Sequence, residues 1–335
     1  MPFHAGDGEQ RSLPSPAVLE LTNLSKRFSK RLDAVERIAR VLGANVPEHT
    51  VHAVDSVSFS VARGEVVGLV GESGCGKSTV GRLACGLLEP TEGSVRYKGE
   101  PPAGTQRPQM IFQDPFASLN PRMRVEEIVG EAPRVHGLVS KSDQKGYVGE
   151  MLEKVGLDPS YSRRYPHQFS GGQRARIGIA RALAVKPDFL VCDEAVAALD
   201  VSIQAQVLNL FMDLRENLGL TYLFISHDLG VVRHLAQRVV VMYLGRVVEI
   251  APAAELFAAP NHPYTRALLA EVPRLERKRR EFAPIKGEIP SPLSPPTGCH
   301  FHPRCPHAME RCAREAPALR EISPGRTSAC HLNDG

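Results

Sequence analysis

Residues 71–79 read Gly71-Glu72-Ser73-Gly74-Cys75-Gly76-Lys77-Ser78-Thr79. This stretch follows an apolar run, Glu65 to Val70, that is typical of a buried strand, and it precedes a helical pattern. Its glycines allow the backbone to wrap around phosphate groups with the amides pointing inward, and the start of the helix adds partial positive charge. Lys77 can neutralise phosphate oxygens, and the Ser78 hydroxyl can reach Mg²⁺. The stretch therefore predicts a phosphate-binding loop between a strand and a helix.

A second apolar run, Phe189 to Cys192, ends in two carboxylates, Asp193 and Glu194. In a nucleotide site, Asp193 could hold the metal ion through water, and Glu194 could polarise the attacking water. Buried strands also end in acidic residues that cap the next helix, so this pair taken alone is compatible with a structural role.

Other segments around these two runs predict an α/β fold. Val18 to Leu21 and Ser56 to Val61 read as strands, and Tyr222 to Ile225 and Val239 to Val241 are short apolar runs suited to buried parallel strands. Residues from about 115 to 184 form a helical block with few strand signals. We therefore expect a parallel-sheet core that is interrupted by a helical subdomain.

Changes in composition divide the chain. Residues 1–17 are polar and predict a flexible tail, residues 18–266 hold the α/β pattern, and residues 267–335 read as a Pro-rich linker into a small C-terminal module. Within the insert at 29–51, apolar residues recur at helical spacing. That insert predicts a charged amphipathic helix with one face in solvent and the other packed on the protein. Contact of this helix with a membrane subunit or with anionic lipid is the alternative.

Bulk properties exclude some classes of protein. The chain has 335 residues and 42% hydrophobic content, enough for about two packed domains. Its net charge of +4 lacks the concentrated positive field of a nucleic-acid binder, so we expect no nucleic-acid partner. The first residues lack the apolar core of a signal peptide, and the longest apolar runs are strand-sized. Any membrane role is therefore expected to be peripheral.

One further segment points to a family. Residues 169–177 read Phe169-Ser170-Gly171-Gly172-Gln173-Arg174-Ala175-Arg176-Ile177 and resemble the signature sequence of ABC ATPases. In the order found in that family, Met110 to Pro115 looks like the Q-loop, Ala198 to Asp200 like the D-loop, and Phe224 to Asp228 like the switch-histidine strand. One departure is Ala195, which stands where the family usually has proline, so we expect a slightly looser turn.

The resemblance implies a P-loop NTPase (ABC ATPase) domain over residues 18–266, with a RecA-like core and a helical signature subdomain. It implies catalytic roles for Glu194, His227 and Gln113, and Mg²⁺ binding through Ser78, Gln113 and Asp193. It further implies that the signature acts on the ATP of an opposite subunit, through Ser170, Gly171, Gly172 and Gln173, with Asp200 in the D-loop. The implied ATP ligands are Phe28, Gly71, Glu72, Ser73, Gly74, Cys75, Gly76, Lys77, Ser78 and Thr79.

Segments outside the shared core resemble one branch of the family. Ser118 to Arg122, Arg164 to His167 and Asn261 to Leu269 look like the ATPases of oligopeptide and dipeptide importers, closest to their "F" type subunit. That branch implies a heterodimer with a second ATPase subunit, two membrane permeases, and a periplasmic binding protein as an indirect partner. It also implies a place at the cytoplasmic face of the inner membrane. Dipeptides, oligopeptides, glutathione, nickel complexes and opines all remain open as cargo.

Two other functions are weighed against import. A soluble ABC ATPase of DNA repair or translation usually carries long coiled-coil insertions or two ATPase domains, and the sequence pattern predicts neither. A catalytically inactive regulatory subunit conflicts with the presence of Lys77, Glu194 and His227.

Four cysteines crowd the C-terminal module: Cys299, Cys305, Cys312 and Cys330. A cytosolic chain seldom uses such a group for disulfides, so metal binding is the better interpretation. Five, six and seventeen residues intervene, which is wider than zinc knuckles and favours a [4Fe–4S] cluster. The segment Gly298 to Pro306 also resembles the cysteine-bearing tail of peptide-importer ATPases, in which such clusters are known. Zinc, completed by nearby histidines, and free thiols are the alternatives.

Overall fold

The computed structural model describes residues 17–29, 50–98, 108–114, 117–271, 285 and 287–334. Ala17, the last residue of the predicted tail at 1–17, begins a strand. The rest of that tail, most of the 29–51 insert with its predicted helix, Pro115 of the Q-loop segment, and the linker run around residues 274–281 lie outside the described residues.

The strands begin with two long ones that flank the insert. In chain order the strands are β1 (Ala17–Ser29), β2 (Thr50–Ala62), β3 (Val66–Val70), β4 (Glu92–Tyr97), β5 (Gln109–Ile111), β6 (Phe189–Asp193), β7 (Thr221–Ile225), β8 (Arg238–Tyr243), β9 (Arg246–Pro252), β10 (Arg320–Ser323) and β11 (Arg326–Ser328).

The helices cluster between β5 and β6 and after β9. They are α1 (Lys77–Ala84), α2 (Val125–Val135), α3 (Gln144–Lys154), α4 (Gly171–Leu183), α5 (Val201–Leu218), α6 (Leu229–Leu235), α7 (Ala253–Ala258), α8 (Pro263–Ala270) and α9 (Glu310–Arg314). Short 3₁₀ turns occupy Pro159–Arg163, Pro166–Gln168, His302–Arg304 and His331–Asn333.

The central sheet of the described residues runs in the order β10-β11-β9-β8-β3-β7-β6-β5. Its five strands from β8 to β5 are parallel, as predicted for the apolar runs in the sequence. Their carboxyl ends therefore lie along one edge, where a parallel sheet of this kind usually binds its ligands. Four of those ends lead directly into the predicted site segments: β3 into the phosphate-binding loop, β5 into Gln113, β6 into Glu194 and β7 into His227.

A second sheet pairs β2, β1 and β4 in antiparallel order. It covers one face of the central sheet, and a single core of buried apolar side chains joins the two. Strand β3 shows the alternation that this requires, since Val67 and Leu69 belong to that core whereas Val66 belongs to the core on the other face. Strand β3 is buried along its whole length, as expected of a central parallel strand.

The other face carries the helical subdomain. Helices α2, α3 and α4 contain buried residues of the same core as α5, and no strand occurs within the described part of residues 115–184. The ring of Phe211 in α5 is fully buried and makes edge contacts with the rings of Tyr222 and Phe224, with centroids 5.7 and 5.8 Å apart. Helix α5 is thus fixed to β7 beneath the helical subdomain.

The C-terminal residues extend the central sheet. Strand β11 pairs with β9 through Thr327 and Ile250, and β10 pairs with β11. A third core holds Tyr243, Tyr264 and Phe301 in mutual ring contact. The segment predicted as a separate small module is therefore packed against the edge of the α/β core, and the expected boundary at residue 266 falls within α8. Among the helices described, none combines the length and apolar character needed to cross a bilayer.

Candidate active site

The phosphate-binding loop between β3 and α1 can be formed only with glycine at its tightest points. Gly71 has a φ of 151° and Gly76 a φ of 102°, in the region that disfavours other residues. A Cβ at Gly71 would lie 2.2 Å from the carbonyl oxygen of Met242, and one at Gly76 would lie 2.1 Å from that of Ala53. The loop is thus pressed against the backbone of β8 and β2, which fixes its shape.

Lys77 is buried at the mouth of this loop, with 4% of its surface exposed. Its Nζ donates to the carbonyl oxygens of Gly71, at 2.8 Å, and Glu72, at 2.9 Å. Within the described part of the chain it forms no ion pair with a carboxylate. A buried cation whose contacts are two carbonyl oxygens and, at 3.8 Å, the Cys75 sulfur can be stabilised further by an anion, so the loop is suited to a phosphate group.

Ser78 and Asp193 lie together beside the loop. The Ser78 hydroxyl donates to Oδ1 of Asp193 at 2.8 Å, which joins the start of α1 to the end of β6. Burial raises the pKa of the Asp193 carboxyl, and the hydrogen bond from Ser78 opposes that rise. A hydroxyl and a carboxylate oxygen are hard donors of the kind that Mg²⁺ prefers beside phosphates, so these two residues fit a magnesium ion.

The Glu194 carboxylate is held from both sides. Gln113 Nε2 donates to one of its oxygens at 2.8 Å, and Nδ1 of His227 lies 3.3 Å from the other. The backbone of Glu194 has a φ of 48°, a left-handed conformation that is strained for a residue with a side chain. Its N–H donates to the carbonyl of Ile225, so the end of β7 holds this conformation. The structure brings Gln113 to Glu194, not to the pair formed by Ser78 and Asp193.

The signature segment lies at the start of helix α4. Ser170 caps that helix, since its Oγ accepts from the Gln173 N–H, and the Gln173 side chain accepts from the Ser170 N–H. No hydrogen bond among the described residues joins 170–173 to the phosphate-binding loop. Gly171 and Gly172 form the first turn, where backbone amides carry partial positive charge. Within this chain the signature is therefore separate from the loop that it is expected to serve.

Two other predicted residues lie at element ends. Asp200 precedes α5 as its capping residue, although its side chain makes no capping hydrogen bond. Phe28 lies near the end of β1 with 42% of its surface exposed, and Lys26 Nζ lies 5.3 Å from its ring centroid. An exposed aromatic ring is available for stacking on a base.

Sequence reasoning missed two residues that contact the loop. The Tyr264 hydroxyl accepts from the Glu72 N–H at 2.9 Å, and the Arg304 guanidinium binds the Glu72 carboxylate. These contacts join residues 192 and 232 positions apart, so no local pattern could have revealed them.

The four C-terminal cysteines line one small cavity together with His302, His307 and His331. All four are free thiols, and burial raises the pKa of Cys299 to about 11 and also raises the pKa of Cys305 and Cys330. No group of three or more Cys, His, Asp or Glu side chains in the described segments is placed to hold a metal ion. The cysteines thus share a cavity without forming a preassembled metal site.

Comparison with known proteins agrees with this geometry. Residues 54–197 match the family model described as ABC transporter, and residues 248–312 match that of the oligopeptide/dipeptide transporter C-terminal region. The chain is 49% identical over 329 residues to the oligopeptide transport ATP-binding protein AppF of Bacillus subtilis, covering 94% of this chain and 97% of that protein. The chain belongs to the ABC transporter family.

Solved ABC cassettes share the fold. A dimeric post-hydrolysis structure of the cassette MJ0796, bound to ADP and Pi, matches 70% of this chain and 98% of that chain with a TM-score of 0.58 and 26% identity. The cbiO1 protein of Clostridium perfringens, part of the cbiONQ transporter complex, matches 72% of this chain and 91% of its own with a TM-score of 0.58 and 24% identity. The predicted P-loop ABC ATPase fold is confirmed, and the chain is an ATPase of this family.

Replacing the Glu194 carboxylate tests its predicted role. Because an amide cannot accept a proton from water, Glu194→Gln should lower ATP turnover by a factor on the order of 10² or more while ATP binding is retained. Turnover is measured as phosphate release and binding by nucleotide titration. Glu216→Gln, an exposed position on α5, serves as the matched control and should leave both unchanged. Near-normal turnover in the Glu194 variant would assign the base to another group.

Proposed function

We propose that this chain is the ATP-hydrolysing subunit that powers an ABC importer for peptides or related nutrients, of the "F" type. The observation that carries the proposal is the combination, in one chain, of the nucleotide site at the sheet edge and the C-terminal region matched to oligopeptide and dipeptide transporters. AppF, which matches over nearly the whole chain, is named as an oligopeptide transport protein. A soluble ABC ATPase of DNA repair or translation would have no need of that C-terminal region.

We assign the binding of ATP to residues 71–79, with Phe28 stacking on the base. Lys77 exchanges its two carbonyl partners for phosphate oxygens, and the amides of the loop surround them. Ser78 and Asp193 would hold Mg²⁺, which neutralises charge on the phosphates when bound, and Gln113 would join them as a ligand by turning away from Glu194.

Hydrolysis forms a bond from a water oxygen to the γ-phosphorus and breaks the bond to the oxygen that leaves with ADP. The proton of the attacking water passes to the Glu194 carboxylate. Gln113 and His227 contact that carboxylate from either side and orient it. His227, whose side chain is 57% exposed, can turn from Glu194 toward the γ-phosphate when ATP is present.

Because the signature is separate from the loop in one chain, we assign Ser170 to Gln173 to the ATP bound by a second ATPase subunit, with Asp200 near the shared interface. Two sites are then closed head to tail, and closure couples hydrolysis to transport. The proposed assembly is a heterodimer on two membrane permeases, at the cytoplasmic face of the inner membrane, fed by a periplasmic binding protein. In the same proposal residues 1–17 are a tail, 18–266 the ATPase domain and 267–335 a C-terminal module that shares α8 with the ATPase domain and packs against its edge.

We assign a [4Fe–4S] cluster to Cys299, Cys305, Cys312 and Cys330, with zinc as the alternative metal. The support is the chemistry of the donors, since four free thiols line a single cavity. Burial raises the pKa of Cys299 to about 11, and metal binding would release the proton of this thiol. The role would be structural, because the C-terminal segment has few large apolar residues of its own and a bound metal would add to its folding energy.

Reconstitution tests the proposed function. The chain is co-purified with two candidate peptide permeases and a candidate second ATPase subunit, placed in liposomes, and assayed for phosphate release with and without peptide-loaded binding protein. Peptide should raise turnover several-fold, while the chain alone hydrolyses little ATP because its sites are incomplete. Strong hydrolysis by the isolated chain that is independent of its concentration would contradict the shared-site assembly.

Metal content tests the cysteine site. Anaerobic purification should give brown protein with broad visible absorption and about four irons per chain, since thiolate-ligated clusters absorb in this way. Cys305→Ser should lose most of the iron, whereas the matched control Cys85→Ser, at a buried cysteine outside the module, should keep it. Colourless protein that holds one zinc ion per chain would show that the site binds zinc and not a cluster. Full metal content in Cys305→Ser would exclude both the cluster and the zinc site at these cysteines.

A further inference from the structure

The phosphate-binding loop is held from outside the ATPase core by one side chain of the C-terminal segment. Arg304 Nη1 lies 2.8 Å from one Glu72 carboxylate oxygen, and Nη2 lies 2.9 Å from the other. The two side chains thus form a bidentate ion pair, the geometry in which an arginine and a carboxylate interact most strongly. The side chains are 5% and 18% exposed, so water screens the pair little.

An aromatic platform fixes the position of the guanidinium. Arg304 Nη1 also donates to the Tyr243 hydroxyl at 3.3 Å, and the guanidinium lies 5.8 Å from the centroid of that ring. Tyr243 in turn packs against Tyr264 and Phe301, with centroids 4.7 and 5.2 Å away. Phe301 directly precedes the turn that carries Arg304, and Tyr264 binds the backbone of Glu72. The packed rings therefore position both partners of the ion pair.

Residue 72 links this ion pair to Lys77, the lysine assigned to phosphate binding. Its carboxylate is bound by Arg304, its N–H donates to Tyr264, and its carbonyl accepts from Lys77 Nζ at 2.9 Å. Every polar group of Glu72 is therefore engaged. The shape of the loop at residue 72, and with it the position from which Lys77 reaches a phosphate, depends on the contacts with Arg304 and Tyr264.

Charge gives Arg304 a second effect. A free carboxylate at position 72 would stand in the loop that must accept phosphate groups and would repel them. The Arg304 guanidinium neutralises that carboxylate and holds it against the C-terminal segment. Loss of the guanidinium would therefore loosen the loop and would also leave the negative charge of Glu72 free beside the phosphates.

Arg304 belongs to the cysteine-bearing turn itself. It lies directly before Cys305, and the hydrogen bonds from His302 N–H to Cys299 and from Arg304 N–H to Phe301 shape the turn between the two cysteines. The conformation of residues 299–305 therefore decides where the guanidinium lies.

We propose that Arg304 is a positioning residue that couples the cysteine-bearing turn, residues 299–305, to the phosphate-binding loop through Glu72, so that the state of this turn sets nucleotide affinity. The coupling is reciprocal, because a contact that strengthens nucleotide binding must be strengthened by it to the same degree. Bound nucleotide thus stabilises the turn.

The affinity of the full chain for MgADP is the first test. Arg304→Met keeps the apolar stem and removes the guanidinium, and should raise the Kd about tenfold, within the usual range of such couplings. Glu72→Gln should raise it less, because it loosens the loop without leaving a free carboxylate beside the phosphates. If both variants act through one contact, the double variant loses no more affinity than Arg304→Met alone, and the two losses do not multiply.

Hydrogen–deuterium exchange is the second test. An ion pair that only stabilised the fold would not make exchange in residues 299–305 depend on MgADP. MgADP should slow exchange in residues 299–305 of the native chain and should not slow it in Arg304→Met. Arg311→Met removes an exposed arginine of the same segment, bound to Glu315 and Asp334, and should keep both the native Kd and the slowed exchange.

Arg304→Lys covers the case in which the methionine variant unfolds. It keeps the charge but cannot form both hydrogen bonds, and should show part of the affinity loss with native thermal stability. The proposal is overturned if folded Arg304→Lys and Arg304→Met bind MgADP as the native chain does, if the losses in the double variant multiply, or if MgADP leaves exchange in residues 299–305 unchanged.

Discussion

The buried ammonium of Lys77 is the constraint on which the site depends. It is held by carbonyl oxygens of Gly71 and Glu72 in a loop whose glycines lie against the backbones of β2 and β8. A cation in such a position is incompletely compensated, and the loop therefore offers a place where a phosphate lowers the energy of the folded chain. The other groups of the site are arranged around this place by the order of the central strands.

The parallel order of the strands explains why distant segments meet. Glu194 follows β6, His227 follows β7 and Gln113 follows β5, and the pairing of these neighbouring strands brings all three strand ends to one edge. The strained backbone of Glu194 is held by the Ile225 carbonyl from the next strand. The sheet thus pre-organises the carboxylate, while the signature on α4 is left for a second subunit in the proposed assembly.

Much of this architecture could be predicted from the sequence, because its signals are local. The glycines and lysine of the loop, the apolar runs of β6 and β7, and the capping pattern at Ser170 each lie within a few residues. The contacts of Tyr264 and Arg304 with Glu72 could not be predicted, since an ion pair across 232 positions leaves no periodicity. The pairing of β11 with β9 could not be predicted either. Strand β11 has only three residues, too few for a strand pattern, and it lies in a segment that the sequence predicts to be a linker and a small module. The number of cysteines could not decide the metal, because both clusters and zinc accept four thiolates, and only the wide spacing favours a cluster.

The central claim is that Lys77 provides the charge that binds the nucleotide phosphates, and the affinity of Lys77→Ala for MgATP tests it most directly. The titration is made on the folded chain, with thermal unfolding as the check that the loop variant retains its structure. Loss of the ammonium should raise the Kd at least about tenfold, equivalent to about 1.4 kcal/mol. An unchanged affinity in the folded variant would contradict the account, because the buried cation would then have no part in holding the phosphates.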